Sequence, residues 1–109
     1  MFMQNRLLRT LNLALFLFFS SVVYGDATST RLQELQHLLK HDCGSCHGMT
    51  LKGGLGPSLL ADSLAGKPDE FLFITIKEGR PGTPMPPWKS LLSDKDISLI
   101  IELLRKGNN

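Results

Sequence analysis

The chain has 109 residues and a nearly balanced charge, with 12 basic and 10 acidic side chains. Two arginines precede residue 26, and all ten acidic residues lie at residue 26 or later. Residues 26–109 therefore carry ten charges of each sign. A neutral segment of this size excludes the basic surface that nucleic-acid binding requires, and it is long enough for one small domain.

Residues 1–25 have the pattern of a secretory signal peptide. The two arginines supply its positive start, and an apolar run follows over residues 11–23. This run is shorter than the about 18–20 residues that a membrane-spanning helix needs. We therefore expect export, cleavage before Asp26, no stable membrane anchor after cleavage, and a single mature domain over residues 26–109.

A first helix is predicted to begin at Thr30, after a frayed segment at residues 26–29. Thr30 and Gln33 have the spacing of a capping box. Leucines follow at helical spacing and form an apolar stripe: Leu32, Leu35, Leu38 and Leu39. His37 and His41 lie along the same helix, where histidines are more often solvated side chains than metal ligands.

The helix is expected to lead into Cys43-Gly44-Ser45-Cys46-His47. Two cysteines three positions apart and an adjacent histidine form the attachment signal for c-type haem. Each cysteine sulfur adds to one haem vinyl group, and His47 is then placed as the proximal iron ligand. The motif predicts one covalently bound haem c.

The next stretch contains Gly53, Gly54 and Gly56, followed by Pro57. Glycine clusters can cradle phosphate, but this one lacks the strand–turn–helix context of a nucleotide site. We interpret it as an irregular loop that bends tightly against the haem. A carbonyl of this loop, that of Pro57, is a candidate acceptor for the Nδ1–H of His47, which would fix the ring and raise its basicity.

A second helix is predicted between Pro68, a residue typical of a first helical turn, and Gly79. Asp69 and Glu70 suit the positive end of its dipole. Its predicted buried side consists of Phe71, Leu72, Ile74 and Thr75.

Residues 79–88 cannot form regular structure, because three of the four residues at positions 84–87 are prolines, and these bracket Met85. A lone methionine is usually core filler, but a filler would not need such a rigid frame. Met85 is therefore predicted to be the second axial ligand, opposite His47, and this ligand pair raises the reduction potential. Met49 lies too close to His47 in sequence to reach the opposite face easily.

A last helix is predicted to begin after Ser93, which forms a capping pattern with Asp96. Gly107 is its predicted end. Its apolar face should pack against the leucine stripe of the first helix, and it consists of Ile97, Ile100, Ile101 and Leu104.

Together these motifs resemble those of a class I cytochrome c. The likeness is greater still to the short monohaem cytochromes c-55X (NirC), which are associated with cytochrome cd nitrite reductase. The segments that carry it are residues 41–48, 53–57 and 79–88. The resemblance implies an all-α fold of three to four helices wrapped around one covalently attached haem. It also implies haem attachment at Cys43 and Cys46, with His47 and Met85 as the iron ligands.

In function, the resemblance implies a monomeric periplasmic carrier that moves one electron at a time and needs no catalytic residue. It would donate electrons to cytochrome cd nitrite reductase in denitrification and receive them from a quinol-linked donor. A role in maturing the d-type haem of that reductase stays open. Lys52, Arg80 and Lys89 are candidates to neutralise the haem propionates or to face a partner, although scattered charges are usually solvated surface.

Three other interpretations of the cysteine motif agree less well with the sequence. A thiol–disulfide oxidoreductase would leave His47 unexplained and would need a βαβ pattern that the chain lacks. A structural zinc site needs four ligands, and beyond the motif only His37 and His41 are candidates. A haem enzyme or gas sensor needs an open sixth position, which Met85 argues against.

Overall fold

The structure is a computed structural model that describes residues 26–107, and all regular secondary structure in that range is helical. The elements are α1 (Asp26–Leu38), a π-helical turn (Leu39–Cys43), α2 (Gly44–His47), α3 (Ala61–Leu64), α4 (Asp69–Glu78) and α5 (Asp94–Lys106). The predicted all-α architecture is confirmed. Within the described range, no helix has the length and apolar content to cross a membrane. The predicted signal peptide, residues 1–25, lies outside this range, so its presence and cleavage stay predictions.

The first helix is already formed at Asp26, so the predicted start at Thr30 is wrong and residues 26–29 are not frayed. A capping pattern is a local signal, whereas tertiary packing supplies most of a helix's stability in a folded protein. Here the packing comes from Leu35 and Leu39, which are 0% and 1% exposed. These contacts anchor the helix downstream of Thr30, and the helix also includes residues 27–30, which are exposed.

The π-helical turn joins α1 directly to α2, so the chain stays helical from Asp26 to His47. Such wider turns are often found at functional sites. This one ends at Cys43, the first residue of the haem motif, and buries Leu39 in the core. The sequence predicted an uninterrupted approach to the motif but did not predict the change of helix type.

The hydrophobic core lies where α5 packs against α1, α3 and α4. Its fully buried members come from both predicted stripes and from one loop: Leu35, Leu39, Leu51, Ile97 and Ile100. The predicted capping box of α5 is present, with Ser93 and Asp96 exchanging side-chain and backbone hydrogen bonds. Gly107 ends the helix with a φ of 67°, as predicted.

Helix α4 has the predicted bounds but is rotated from the predicted orientation. Pro68 precedes it and Gly79 ends it, but Leu72 is the one buried residue of this helix. Ile74 is 52% exposed and Phe71 is 49% exposed, so their predicted burial is wrong. The reason is that α4 has two inner faces. Leu72 faces the core, while Phe71 and Thr75, four residues apart, line a cavity.

An ion pair joins the first and last helices. Arg31 donates from Nε and Nη2 to the two carboxylate oxygens of Asp96, at 3.0 and 2.9 Å. Asp96 is only 8% exposed, and these bonds hold the pKa of its carboxyl group well below the usual range. The N–H groups at the start of α5 lower this pKa further, because the same carboxylate accepts from the backbone of Ser93.

Candidate functional site

A cavity of about 560 Å³ lies between the π-helical turn, all four later helices and two loops. We call residues 48–60 the His47 loop and residues 79–88 the Met85 loop. The lining is mainly apolar, and it includes Cys43, Cys46, His47 and Met85. The volume is within the range of about 300–1,000 Å³ that small-molecule and cofactor pockets occupy. The fold thus brings the four predicted haem-binding residues to one cavity.

The two cysteines of the motif lie on consecutive turns, Cys43 at the end of the π-helical turn and Cys46 within α2. Both are half-buried. Burial raises the pKa of the Cys43 thiol to about 11, and the negative charge of Asp42 adds to the effect. A nucleophilic cysteine of a thiol–disulfide oxidoreductase has a lowered pKa. The raised pKa of Cys43 does not favour that function.

The ring of His47 is fixed from one side by the His47 loop. Its Nδ1 lies 2.7 Å from the carbonyl oxygen of Pro57. Because a carbonyl can only accept, Nδ1 carries the proton, and the other ring nitrogen, Nε2, keeps a lone pair for a metal. This contact between His47 and Pro57 is the one predicted from the sequence.

Gly56 lets the loop approach the same ring. A Cβ at this position would lie 2.7 Å from both Cε1 and Nδ1 of His47, closer than a carbon atom can pack. The backbone of Gly56 also donates to the carbonyl oxygen of Cys46 at 2.8 Å. Glycine at this position therefore allows the loop to hold the ring and the haem-motif helix together.

Leu51 anchors the His47 loop in the core. It is 1% exposed and has a φ of 58°, a conformation that non-glycine residues seldom adopt. Its carbonyl oxygen accepts from the backbone of Leu59 at 2.9 Å and from the Ser58 hydroxyl at 3.3 Å. The role of Leu51 could not be predicted from the sequence, because a single leucine in a glycine-rich segment carries no periodic signal.

The Met85 loop forms another part of the cavity wall. Its base is closed by a hydrogen bond from the backbone of Arg80 to the carbonyl oxygen of Met85, at 3.1 Å. At Gly79, with a φ of 68°, a Cβ would lie 2.6 Å from the backbone of Pro86. Met85 is half-buried and lines the cavity, whereas Met49 is 51% exposed and is not part of the lining.

The residues of this cavity fit a covalently attached haem. They offer two thiols on neighbouring turns, an imidazole nitrogen with a free lone pair, a thioether, and an apolar wall. No group of three or more His, Cys, Asp or Glu side chains within residues 26–107 is arranged to hold a metal ion, so a structural zinc site is not supported. His37 and His41 are exposed and contact each other, with ring centroids 4.2 Å apart, away from the cavity.

Two cationic residues lie on the cavity wall, Arg80 and Lys67. Of the three candidates for haem propionates, only Arg80 is therefore placed at the site. Lys89 pairs with Glu78 at 2.7 Å, and Lys52 is an exposed residue outside the lining. The position of Lys67 at the site could not be predicted from the sequence, because an isolated lysine before Pro68 has no distinguishing pattern.

Comparison with known proteins agrees with this site. The family model described as cytochrome c oxidase, cbb3-type, subunit III matches residues 30–104. Cytochrome c55X of Stutzerimonas stutzeri is 46% identical over 97 residues, which cover 89% of this chain and 86% of that protein.

Solved structures show the same similarity. A structure described as the c-type cytochrome NirC superposes with a TM-score of 0.71 and 52% identity, covering 76% of this chain and 95% of its own. A second, described as dihydro-heme d1 dehydrogenase NirN in complex with DHE, superposes with a TM-score of 0.60 and 31% identity. That match covers 64% of this chain but only 15% of the larger protein.

Proposed function

Since the chain belongs to the cytochrome c55X family of c-type cytochromes, we propose that it is a periplasmic carrier that delivers single electrons to cytochrome cd nitrite reductase. The family implies a haem c cofactor, and when bound the haem supplies an iron that takes up and releases one electron. The carrier acts as a monomer and receives its electrons from a quinol-linked donor.

The observation that carries this proposal is that His47 and Met85 line one apolar cavity together with the two cysteines. Cys43 and Cys46 would tether the cofactor. The Nδ1–H of His47 donates a hydrogen bond to the carbonyl oxygen of Pro57, which leaves Nε2 available to an iron. Met85 would supply a thioether ligand, and an imidazole–thioether pair raises the reduction potential.

A haem iron held by His47 and Met85 together would suit a carrier. It would have no free position for a substrate or a gas, and the mainly apolar lining would limit its contact with bulk water. The polypeptide then has three tasks: it fixes both ligands, it keeps their geometry unchanged between redox states, and it lets a partner approach the cavity rim. None of them requires a catalytic acid, base or nucleophile.

The link to nitrite reduction is supported by the family resemblance and by the solved c-type cytochrome NirC. The equal numbers of basic and acidic residues after residue 25 favour a transient partner contact with modest salt dependence. Such a contact needs exposed apolar residues near the cavity. Leu55 meets this requirement, since it is 92% exposed and belongs to the cavity lining.

Stopped-flow mixing tests the donor role. Reduced protein is mixed anaerobically with purified, fully assembled and oxidised cytochrome cd nitrite reductase at micromolar concentrations. We expect haem c to be oxidised at least as fast as the reductase turns over with nitrite. Leu55→Ser should slow the reaction, whereas Leu91→Ser should not, because Leu91 is 69% exposed but lies outside the cavity lining.

A second candidate function is maturation of the d-type haem. It is favoured by one observation, the similarity of this chain to 15% of a dihydro-heme d1 dehydrogenase. In that role, the chain accepts electrons while a haem precursor is oxidised. Oxidation by the assembled reductase that stays far below turnover, together with a deletion strain whose reductase lacks its d-type haem, would exclude the donor role and establish this one.

Export and covalent attachment have their own test. Intact-mass measurement of protein from the periplasmic fraction should give the mass of residues 26–109 plus one haem. Cys43→Ala and Cys46→Ala should each sharply lower the yield of haem-bearing protein. A haem-free wild-type protein, or one that retains residues 1–25, would contradict the proposal.

A further inference from the structure

We propose that the side-chain hydroxyl of Thr83 holds Met85 in place, which makes Thr83 a positioning residue for the axial thioether. The inference rests on the proposed function, because it takes Met85 as an iron ligand. It is drawn from the hydrogen bonds inside the Met85 loop.

The loop begins with a tight turn over residues 80–83. Pro81 and Gly82 occupy its two central positions, and Gly82 has a φ of 79°. The backbone of Thr83 donates to the carbonyl oxygen of Arg80 at 3.0 Å. Proline second and a glycine of positive φ third are typical of a type II β-turn. The turn places Thr83 two residues before Met85.

The Thr83 hydroxyl links this turn to the ligand. It donates to the carbonyl oxygen of Arg80 at 2.7 Å and accepts from the backbone N–H of Met85 at 3.3 Å. The backbone of Arg80 in turn donates to the carbonyl oxygen of Met85 at 3.1 Å. Both backbone polar groups of Met85 are thus tied to the turn, one of them through the hydroxyl.

The prolines around Met85 make this link specific. Residues 84, 86 and 87 are prolines and have no backbone N–H. Met85 therefore has the one backbone donor of residues 84–87, and that donor goes to Thr83. The proline rings restrict local dihedral angles, but they cannot attach the segment to the rest of the loop. Two hydrogen bonds make that attachment, one from the Arg80 N–H to the Met85 carbonyl oxygen and one from the Met85 N–H to the Thr83 hydroxyl.

The size of the effect follows from the exposure of the loop. Thr83 is exposed, so water competes with its hydrogen bonds. The net contribution of one such bond corresponds to about a two- to tenfold change in an equilibrium. Loss of the hydroxyl should therefore shift, but not abolish, the balance between bound and released Met85.

Imidazole competition with the oxidised holoprotein measures that balance, because imidazole binds to the iron only when the methionine has left. Thr83→Val removes the hydroxyl and keeps the shape, and we expect it to bind imidazole about two- to tenfold more tightly than wild type. It should also weaken the methionine–iron absorption band. Thr83→Ser keeps the hydroxyl and should restore both values. Ser98→Ala removes a hydroxyl on α5 and should change neither.

Each other result decides against the inference. Equal imidazole affinity in Thr83→Val and wild type would refute it, provided that circular dichroism shows a folded variant. If Thr83→Val does not fold, Thr83→Ser still decides: a large change in that variant would show that the methyl group and not the hydroxyl matters. Met85→Ala separates the two proposals. If it binds imidazole no more tightly than wild type, the axial assignment itself fails, and the role of Thr83 fails with it.

Discussion

The two loops that hold the proposed iron ligands are built differently. The His47 loop is fastened to the helix that bears its ligand, through bonds from Gly53 to His47 and from Gly56 to Cys46, and through the ring bond to Pro57. The Met85 loop is fastened mainly to itself, through Arg80 and Thr83.

The difference predicts which ligand leaves first. To release His47, the protein must break contacts between a loop and a helix that share a buried anchor, Leu51. To release Met85, it need only open a short exposed loop, and local openings of this kind cost far less than global unfolding. Beyond the loop, the connection to α4 runs through Trp88, whose backbone donates to Ile76 at 3.1 Å. Ligand exchange should therefore occur on the methionine side, with histidine still bound.

The largest effect is expected from Gly56→Ala, a substitution in the His47 loop, which is the more firmly attached of the two loops. The added Cβ would lie 2.7 Å from two atoms of the His47 ring, and the bond to Pro57 prevents the ring from turning away. The yield of haem-bearing protein should fall severely. Gly66→Ala is the matched control, since nothing lies within 4 Å of its Cβ, and its yield should match wild type. A normal yield and a normal reduced spectrum in Gly56→Ala would show that the loop is not rigid.

Met85→Ala should have the next largest effect and should be confined to the looser loop. We expect the methionine–iron band to disappear, the sixth position to open to water or added ligands, and the reduction potential to fall. The covalent attachment and the His47 side should be unaffected. Met49→Ala is the control, because Met49 is not part of the cavity lining. An unchanged band and potential in Met85→Ala would refute the axial assignment.

The same contrast explains what the sequence could predict. Local signals were enough for α5, whose capping box at Ser93 and end at Gly107 are where the sequence predicts them. The irregular structure of the Met85 loop could also be predicted, because its prolines and glycines all lie within ten consecutive residues. The hydrogen bonds that hold this loop likewise join residues that are close in sequence.

The His47 loop could be predicted only in outline. The contact between Gly56 and the His47 ring and the burial of Leu51 depend on how distant segments meet, and no residue pattern encodes them. The exposure of Phe71 was mispredicted for the same reason, because Phe71 faces a cavity that local periodicity does not reveal. The start of α1 was mispredicted because a capping pattern is only a local signal. The pairing of His47 with Pro57 could be proposed from the sequence, because the Nδ1–H of His47 requires an acceptor and the carbonyl of Pro57 lies in the next loop.

A variant outside both loops, in the ion pair between α1 and α5, measures overall stability and so serves as the reference for the loop variants. Asp96→Asn removes a carboxylate that pairs Arg31 and caps α5, and should lower the free energy of unfolding at pH 7 by about 1–3 kcal/mol. The folded pKa of Asp96 is lowered, so its contribution is complete above the unfolded pKa of about 3.9 and is lost as pH falls toward the folded value.

Denaturant titrations followed by circular dichroism at pH 7 and pH 3 measure this contribution. The gap between wild type and Asp96→Asn should be smaller at pH 3 than at pH 7. Imidazole affinity, corrected for overall stability, should not change, because neither loop contacts this pair directly. A gap that grows on acidification would mean that the ion pair is not what stabilises the folded state.

The smallest effect is expected from Gly82→Ala, which strains the looser loop without any clash. Nothing lies within 4 Å of a Cβ at residue 82, so the substitution tests only the backbone conformation at a φ of 79°. A non-glycine residue in this region costs about 1–2 kcal/mol. Because the Met85 loop can open locally, this cost should appear as tighter imidazole binding and leave the unfolding midpoint almost unchanged. Gly66→Ala, which also meets open space but has no positive φ, should affect neither. If the whole cost appears in global unfolding instead, the Met85 loop opens only together with the core, and the two loops are equally firm.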